Sequence, residues 1–234
     1  MNTLDVLKEA VGVLRDGGVI LYPTDTVWGI GCDATDPEAV ARVFAIKRRS
    51  EAKSLVLLAS DLDMVARYVK VVPNIAIDLV EVNDKPMTLI YPGAICGSAP
   101  AGLVRSGAGI GEQKMDPSGN APLSPSPAPQ SSVRPKADRH LLAWNAVAED
   151  GSVGIRIPLP GFWRDLVARL GRPLVSTSAN ISGEPTPRRF AEIPEEIRTA
   201  VDYCVPASLE RGSTGSASQI IKVGLGGEVE IIRP

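Results

Sequence analysis

Residues 174–183 read LVSTSANISG, an apolar start followed by a run of small polar side chains. The first four residues have the character of a short buried strand, and the chain then enters a turn at Ser178-Ala179-Asn180. Hydroxyl and amide groups at a strand end can bind phosphate oxygens or a ribose, and small side chains let backbone N–H groups approach an anion. The same residues also suit a turn that caps a helix, so this stretch alone leaves both interpretations open.

Outward from this stretch, helix and strand signals follow one another without strict alternation. Predicted strands cover residues 19–22, 54–59, 87–91, 152–157, 174–177, 219–223 and 228–232. Predicted helices start at Thr3 as N-cap, at Asp36-Pro37 and at Ser60-Asp61, and cover 74–82, 161–170 and 194–200. This pattern predicts an α+β (mixed α/β) fold over residues 1–234, a single domain with a twisted mixed sheet flanked by helices.

One segment, residues 95–140, departs from this pattern. It is rich in Pro, Gly and Ser, contains the run PLSPSPAPQSS, and lacks the apolar periodicity that could offset the entropy of ordering. Because both flanks carry clear element signals, we interpret 95–140 as a low-complexity insertion into the domain, a solvated loop in the simpler reading and a lid over a site in the other.

Composition excludes several classes of function. The 25 basic and 27 acidic residues give a formal net charge of −2, so there is no global attraction to nucleic acid or to an anionic membrane. Three widely spaced cysteines and a single histidine, His140, argue against a zinc site and a disulfide framework and suit a reducing cytosol. No apolar stretch approaches the ~20 residues that cross a bilayer.

Two further clusters suggest an anion site. Lys47, Arg49 and Lys53 follow a predicted helix, and cations there suit a polyphosphate, although a solvated helix end is the simpler explanation of this cluster alone. In the predicted strand at 152–157, alternation places Ser152, Gly154 and Arg156 on one face. An arginine between apolar strand neighbours needs an anionic partner, which is either a ligand or a structural carboxylate.

Taken in order along the chain, these pieces resemble the threonylcarbamoyl-AMP synthase (YrdC-like) family. The matching motifs are YPTDTVWGIG at residues 22–31, KRR at 47–49, KSL at 53–55, SVGIRIP at 152–158, STSANISG at 176–183, Ser218 before Ile220-Ile221, and IIRP at 231–234. They cover essentially the whole chain except residues 95–140, and several independent motifs in one order are highly specific.

The resemblance implies an enzyme that makes L-threonylcarbamoyladenylate from L-threonine, bicarbonate and ATP and releases pyrophosphate, with Mg²⁺ carried by the nucleotide and no metal site of its own. It implies a partner, the tRNA-threonylcarbamoyl transferase machinery, which modifies the adenosine beside the anticodon. The implied ATP contacts are Arg49, Lys53, Ser152, Ser178, Thr186 and Arg233. The implied threonine contacts are Thr26, Arg156, Ser176 and Ser218. Lys47 and Asn180 complete the charged cavity, and the implied catalytic set is Lys47, Arg49, Ser178 and Asn180.

The sequence departs from some relatives, because Leu58 stands where they carry a histidine that contacts threonine. It also stops at Pro234, so we expect the short, single-domain type. Two alternatives stay open, an RNA-binding module and a carbamoyl-transfer domain of the hydrogenase-maturation type. A weak tRNA contact is a further expected interaction. The low aromatic content, 4%, disfavours the first as the main role. The missing CxxC pairs disfavour the second.

Overall fold

Nine strands form one mixed sheet in the computed structural model, which describes residues 2–49, 55–100 and 141–234. The strands are β1 (Ile20–Tyr22), β2 (Gly29–Gly31), β3 (Val56–Leu58), β4 (Met87–Tyr91), β5 (Val153–Arg156), β6 (Leu174–Ser178), β7 (Tyr203–Cys204), β8 (Gln219–Val223) and β9 (Val229–Arg233). Their order across the sheet is β7-β1-β2-β6-β3-β5-β4-β8-β9. The pairs β1–β7, β3–β5 and β4–β8 are parallel and the others antiparallel, which confirms the predicted mixed sheet.

Six α-helices accompany the sheet in this part of the chain. They are α1 (Thr3–Arg15), α2 (Pro37–Ile46), α3 (Leu62–Ala66), α4 (Asn74–Val82), α5 (Phe162–Leu170) and α6 (Glu195–Ala200). Helix α1 packs against α5, and α2 packs against a 3₁₀ turn at Trp144–Ala146. No helix among the described residues has the length and apolar character needed to cross a bilayer.

Helix capping follows the predicted signals at two of three N-termini. Asp36 caps α2 with its carboxylate and precedes Pro37, and Asp61 caps α3 by accepting from Met64 N at 2.7 Å. The predicted N-cap Thr3 is wrong, because the side chain of Asn2 accepts from Leu4 N and Thr3 is already helical. Asparagine and threonine have similar capping preferences, so the pattern could not separate adjacent candidates.

The ends of the predicted insertion meet. Leu142 N donates to Ile95 O at 2.9 Å, and Gly97 N donates to Leu142 O at 2.9 Å. The chain therefore leaves and re-enters the fold at neighbouring points. Residues 101–140 lie outside the described part of the chain, so the interpretation of 95–140 as an insertion in one domain stays a prediction.

Strand β2 was missed because two of its three residues are glycines. Gly31 is a glycine for a steric reason, since a Cβ at this position would lie 2.4 Å from Val175 O and 2.7 Å from the ring of Tyr22. Both neighbours are fully buried and cannot move aside. The close approach of β1, β2 and β6 therefore depends on the missing side chain.

Replacing Gly31 with alanine should lower the free energy of unfolding by about 1–3 kcal/mol, the usual cost of overpacking a core. Urea denaturation measures this change. Gly12→Ala in the exposed interior of α1 is the matched control, because a Cβ there meets no atom within 4 Å. That variant should be more stable by about 0.5–1 kcal/mol. A Gly31→Ala variant as stable as the parent would show that β1, β2 and β6 can move apart enough to hold a Cβ at this position.

Candidate active site

One face of the sheet bounds a cavity of about 630 Å³. Strands β3 to β6 supply its floor, with Val56 opposite both Gly154 and Ser176 in the strand register. The cavity brings together residues from nine separate segments of the chain. The predicted site residues that line it are Thr26, Arg49, Ser152, Arg156, Ser176, Ser178, Thr186, Ser218 and Arg233.

The charged side chains among the described residues that line this cavity are all positive. Four of the lining residues are arginines, and none of the described lining residues is an aspartate or a glutamate. The chain as a whole has a formal net charge of −2, so the positive charge is local to the cavity. Guanidinium groups form bidentate hydrogen bonds with carboxylate and phosphate, which makes polyanions the ligand class that fits.

Strand β5 has the alternation that the sequence predicts. Gly154 and Arg156 face the cavity, while Val153 and Ile155 are buried in the core. Gly154 leaves its position in the cavity lining without a side chain, and a Cβ there would meet Thr88 Cγ2 at 3.5 Å and Leu55 O at 4.0 Å, both ordinary contacts. Ser152 lines the cavity just before the strand, and its hydroxyl donates to Asp150 Oδ1 at 2.6 Å.

Arg156 forms a buried ion pair beneath the cavity. Its Nη1 donates to Asp25 Oδ1 at 2.6 Å and to Thr26 Oγ1 at 3.3 Å, and Arg156 and Asp25 are 4% and 0% exposed. Burial lowers the pKa of the Arg156 guanidinium, and the Asp25 charge opposes that shift. The buried Nε has no hydrogen-bond partner in the described part of the chain. The sequence left open whether Arg156 meets a ligand or a structural carboxylate, and it meets Asp25 while still lining the cavity.

The end of α2 separates three consecutive basic residues. Arg48 has a φ of +49° and ends the helix, and Arg49 N then donates back to Phe44 O at 3.0 Å. As a result Lys47 points into the protein, Arg48 points outward to an exposed ion pair with Glu196, and Arg49 reaches the cavity.

Lys47 and Asn180 meet behind the cavity wall. Lys47 is 2% exposed, and its Nζ donates to the carbonyl oxygens of Ser178 and Asn180 and to Asn180 Oδ1 at 3.3 Å. Asn180 Nδ2 donates to Glu184 O at 2.6 Å, and Asn180 Oδ1 accepts from the Ser178 hydroxyl. Burial, with the Arg49 charge as a second cause, lowers the pKa of Lys47 to about 8. The pair holds the turn that carries Ser178, and its catalytic role stays a prediction.

The opposite wall is tied together by hydroxyls and one arginine. Ser218 Oγ and Thr88 Oγ1 share a hydrogen bond at 2.8 Å, and Arg233 donates through Nε and Nη2 to Ser218 O at 2.9 and 2.6 Å. Thr88 belongs to β4, Arg233 ends β9, and Ser218 lies just before β8. Their hydrogen bonds fix the strand ends around the cavity.

Sequence reasoning missed Arg188 and Thr88, which also line the cavity. Arg188 follows Thr186 in an irregular segment with no periodicity, and its position two residues beyond a predicted contact was the only available signal. Thr88 is one residue of an otherwise apolar strand. The predicted contact Lys53 lies outside the described residues. In the described part, no group of three or more His, Cys, Asp or Glu side chains is placed to hold a metal ion.

Comparison with known proteins identifies the family to which this chain belongs. A family model described as "Telomere recombination", covering the Sua5, YciO and YrdC proteins, matches residues 12–111 and 120–234. The chain belongs to the Sua5/YciO/YrdC family. This confirms the resemblance that the motifs indicated, with the match spanning nearly the whole chain.

Named relatives within this family are similar along most of their length. A threonylcarbamoyl-AMP synthase of Xanthomonas euvesicatoria is 32% identical over 218 residues, 93% of this chain and 91% of the relative. Another, of Stenotrophomonas maltophilia, is 30% identical over 213 residues, 91% of this chain and 89% of the relative. A structure of P. abyssi Sua5 complexed with L-threonine superposes with a TM-score of 0.66 at 22% identity. It aligns with 95% of this chain, which spans 52% of the Sua5 chain.

Proposed function

We propose that this member of the Sua5/YciO/YrdC family is an L-threonylcarbamoyladenylate synthase, a nucleotidyltransferase that uses L-threonine, bicarbonate and ATP and releases pyrophosphate. The observation that carries the proposal is the cavity whose described lining residues include four arginines and no aspartate or glutamate. All three substrates are anionic or carry a carboxylate. The names of the relatives in Xanthomonas and Stenotrophomonas support the same reaction.

In this proposal the phosphates of ATP lie against Arg49, Arg188 and Arg233. Arginine suits this task because its fixed fork of donors matches two phosphate oxygens at once. The hydroxyls of Ser152, Ser178 and Thr186 are the remaining polar contacts for the nucleotide, with Lys53 added by resemblance. Mg²⁺ enters as part of the ATP substrate, bound to the phosphates.

L-Threonine takes the side of the cavity that holds Arg156. The guanidinium binds the carboxylate of the amino acid, and the hydroxyls of Thr26, Ser176 and Ser218 bind its other polar groups. Two of these hydroxyls are fixed before the substrate arrives, because Thr26 Oγ1 is hydrogen-bonded to Thr24 Oγ1 at 2.8 Å and Ser218 Oγ to Thr88 Oγ1 at 2.8 Å. Preorganised donors spare the reaction the cost of orienting them.

The chemical step needs no covalent intermediate with the protein. The amine nitrogen of threonine forms a bond to the bicarbonate carbon, a C–O bond breaks and water leaves. A carboxylate oxygen of the resulting carbamate then attacks the α-phosphorus of ATP. A bond forms between that oxygen and the phosphorus, and the bond to the bridging oxygen breaks, so its electron pair leaves with pyrophosphate. The protein contributes by holding the two reactants together and by neutralising charge on the phosphates.

The product is a mixed anhydride, which suits it as a donor in a second transfer reaction. We propose that the tRNA-threonylcarbamoyl transferase machinery takes the threonylcarbamoyl group from it and modifies the adenosine beside the anticodon. We propose a cytoplasmic location for the protein and a weak direct contact to tRNA.

Pyrophosphate release tests the proposal. The protein is incubated with ATP, Mg²⁺, L-threonine and bicarbonate, and each of the last two is omitted in turn. We expect pyrophosphate release that requires both threonine and bicarbonate. Release that persists when one of them is omitted, or no release with all substrates present, would reject the synthase. Carbamoyl phosphate in place of bicarbonate tests the carbamoyl-transfer alternative, and tRNA binding without turnover would favour the RNA-binding module.

A further inference from the structure

Asp25 lies directly behind the cavity wall and is bound at both carboxylate oxygens. Oδ1 accepts from Arg156 Nη1 at 2.6 Å, and Oδ2 accepts from Leu159 N at 3.1 Å. The residue is 0% exposed and is not among those that line the cavity. Because β5 and the loop after it both donate to this carboxylate, Asp25 cannot rotate without breaking a buried hydrogen bond.

The negative charge of Asp25 stabilises the charged Arg156 guanidinium in its buried position beside the cavity. A buried guanidinium is costly unless a carboxylate pairs with it in good geometry. Arg233 is a second cation near Arg156, and its charge further disfavours the charged form of that guanidinium. Within the described residues, the ion pair of Arg156 is the one with Asp25. Asp25 therefore sets both the charge and the orientation of the Arg156 side chain.

The backbone beside Asp25 also fixes the rim of the cavity. Thr214 N donates to Asp25 O at 2.9 Å, and Gly215 N donates to Thr26 O at 2.8 Å. Gly215 is itself a lining residue. One short segment therefore joins the floor of the cavity, through Arg156, to its rim.

We infer that Asp25 is a positioning residue for the amino-acid substrate. It occupies Nη1 of Arg156 and holds the guanidinium plane in the orientation that receives the threonine carboxylate. Asp25 touches neither substrate and acts through Arg156. The inference rests on the proposed synthase reaction and deepens it, because it makes the threonine subsite, and not the nucleotide subsite, depend on Asp25.

The test is Asp25→Asn, measured as the KM values of pyrophosphate release. We expect the KM for threonine to rise at least ~10-fold, since a small misplacement of a binding group has effects of this size, while the KM for ATP stays unchanged. Asp25→Glu restores the charge and should bring the threonine KM back toward that of the parent. A purely electrostatic role makes the opposite prediction, because removing a negative charge would tighten binding of the threonine carboxylate and of the ATP phosphates.

Asp33→Asn is the matched control, since Asp33 is 2% exposed and forms a partly buried ion pair with Arg172 away from the cavity lining. It should lower Tm as Asp25→Asn does and leave the threonine KM unchanged. An unchanged threonine KM in Asp25→Asn, or equal rises for threonine and ATP, would overturn the inference. If Asp25→Asn does not fold, the single variant Arg156→Gln is compared with the double variant Asp25→Asn/Arg156→Gln. Because Asp25 acts only through Arg156, the two variants should have equal KM values for threonine. Unequal values would overturn the inference. A parent protein without threonine-dependent release would instead reject the proposed function.

Discussion

Replacing Arg49 with alanine should lower the rate of pyrophosphate release at least ~10²-fold, the scale of losing one positioned charge stabiliser. Arg49 is the member of the basic run at the end of α2 that reaches the cavity. It lies two residues after the buried Lys47, and the backbone turn at Arg48 aims it at the proposed phosphates. Steady-state kinetics with saturating threonine and bicarbonate measure the loss, and the unfolding transition shows whether the fold is kept.

Arg48→Gly is the control for that experiment. The Arg48 side chain is 68% exposed and pairs with Glu196 at the surface, where an ion pair contributes little. Its φ of +49° is a conformation that glycine adopts without cost, so the turn is preserved. The control removes the same charge one residue away, and its rate should be near that of the parent. Equal losses in both variants would show that the effect comes from net charge and not from the cavity.

Asn180→Ala should cause a comparable loss, again at least ~10²-fold, for a different reason. Its amide accepts from the Ser178 hydroxyl and from Lys47 Nζ and donates to Glu184 O, so it fixes the turn that carries Ser178 into the cavity. Alanine removes these bonds and leaves the buried Lys47 with two carbonyl acceptors. The loss should appear in kcat/KM for ATP, since Ser178 belongs to the proposed nucleotide subsite.

The neighbouring Ser182→Ala tests whether any change in this turn has the same effect. Ser182 is exposed and holds Lys47 O through its backbone N–H at 3.0 Å, which alanine retains. Its rate should match that of the parent. A folded Asn180→Ala variant with a normal rate would show that the turn keeps its shape without the amide.

The elements that the sequence predicted well are those with a local physical signature. Asp36 before Pro37 marks a helix start through the capping bond and the fixed φ of proline, and the β8–β9 hairpin is marked by two apolar strands around a glycine-rich turn. Strand β2 carries no such signature. Gly29 and Gly31 form a strand only because their neighbours require a backbone without side chains.

The candidate site divides in the same way. Alternation in β5 predicted which side of the strand Arg156 would occupy, and the motif order predicted which distant segments would meet. Neither could show that Lys47 turns inward while Arg49 faces the cavity, because that depends on one left-handed residue between them. Asp25 and Arg188 were missed for a related reason, since their roles arise from partners more than a hundred residues away or from an irregular loop.

Strand β9 lies at the margin of the sheet with every residue exposed, and its last residue, Arg233, reaches the cavity. A strand with one neighbour and little buried area opens at low free-energy cost. A ligand that contacts Arg233 binds only when β9 is paired with β8. Ligand binding and the pairing of β9 are therefore linked equilibria. Part of the binding free energy therefore goes into keeping this edge strand paired. Substitutions in β9 that never touch the ligand should then change the affinity of the cavity for it.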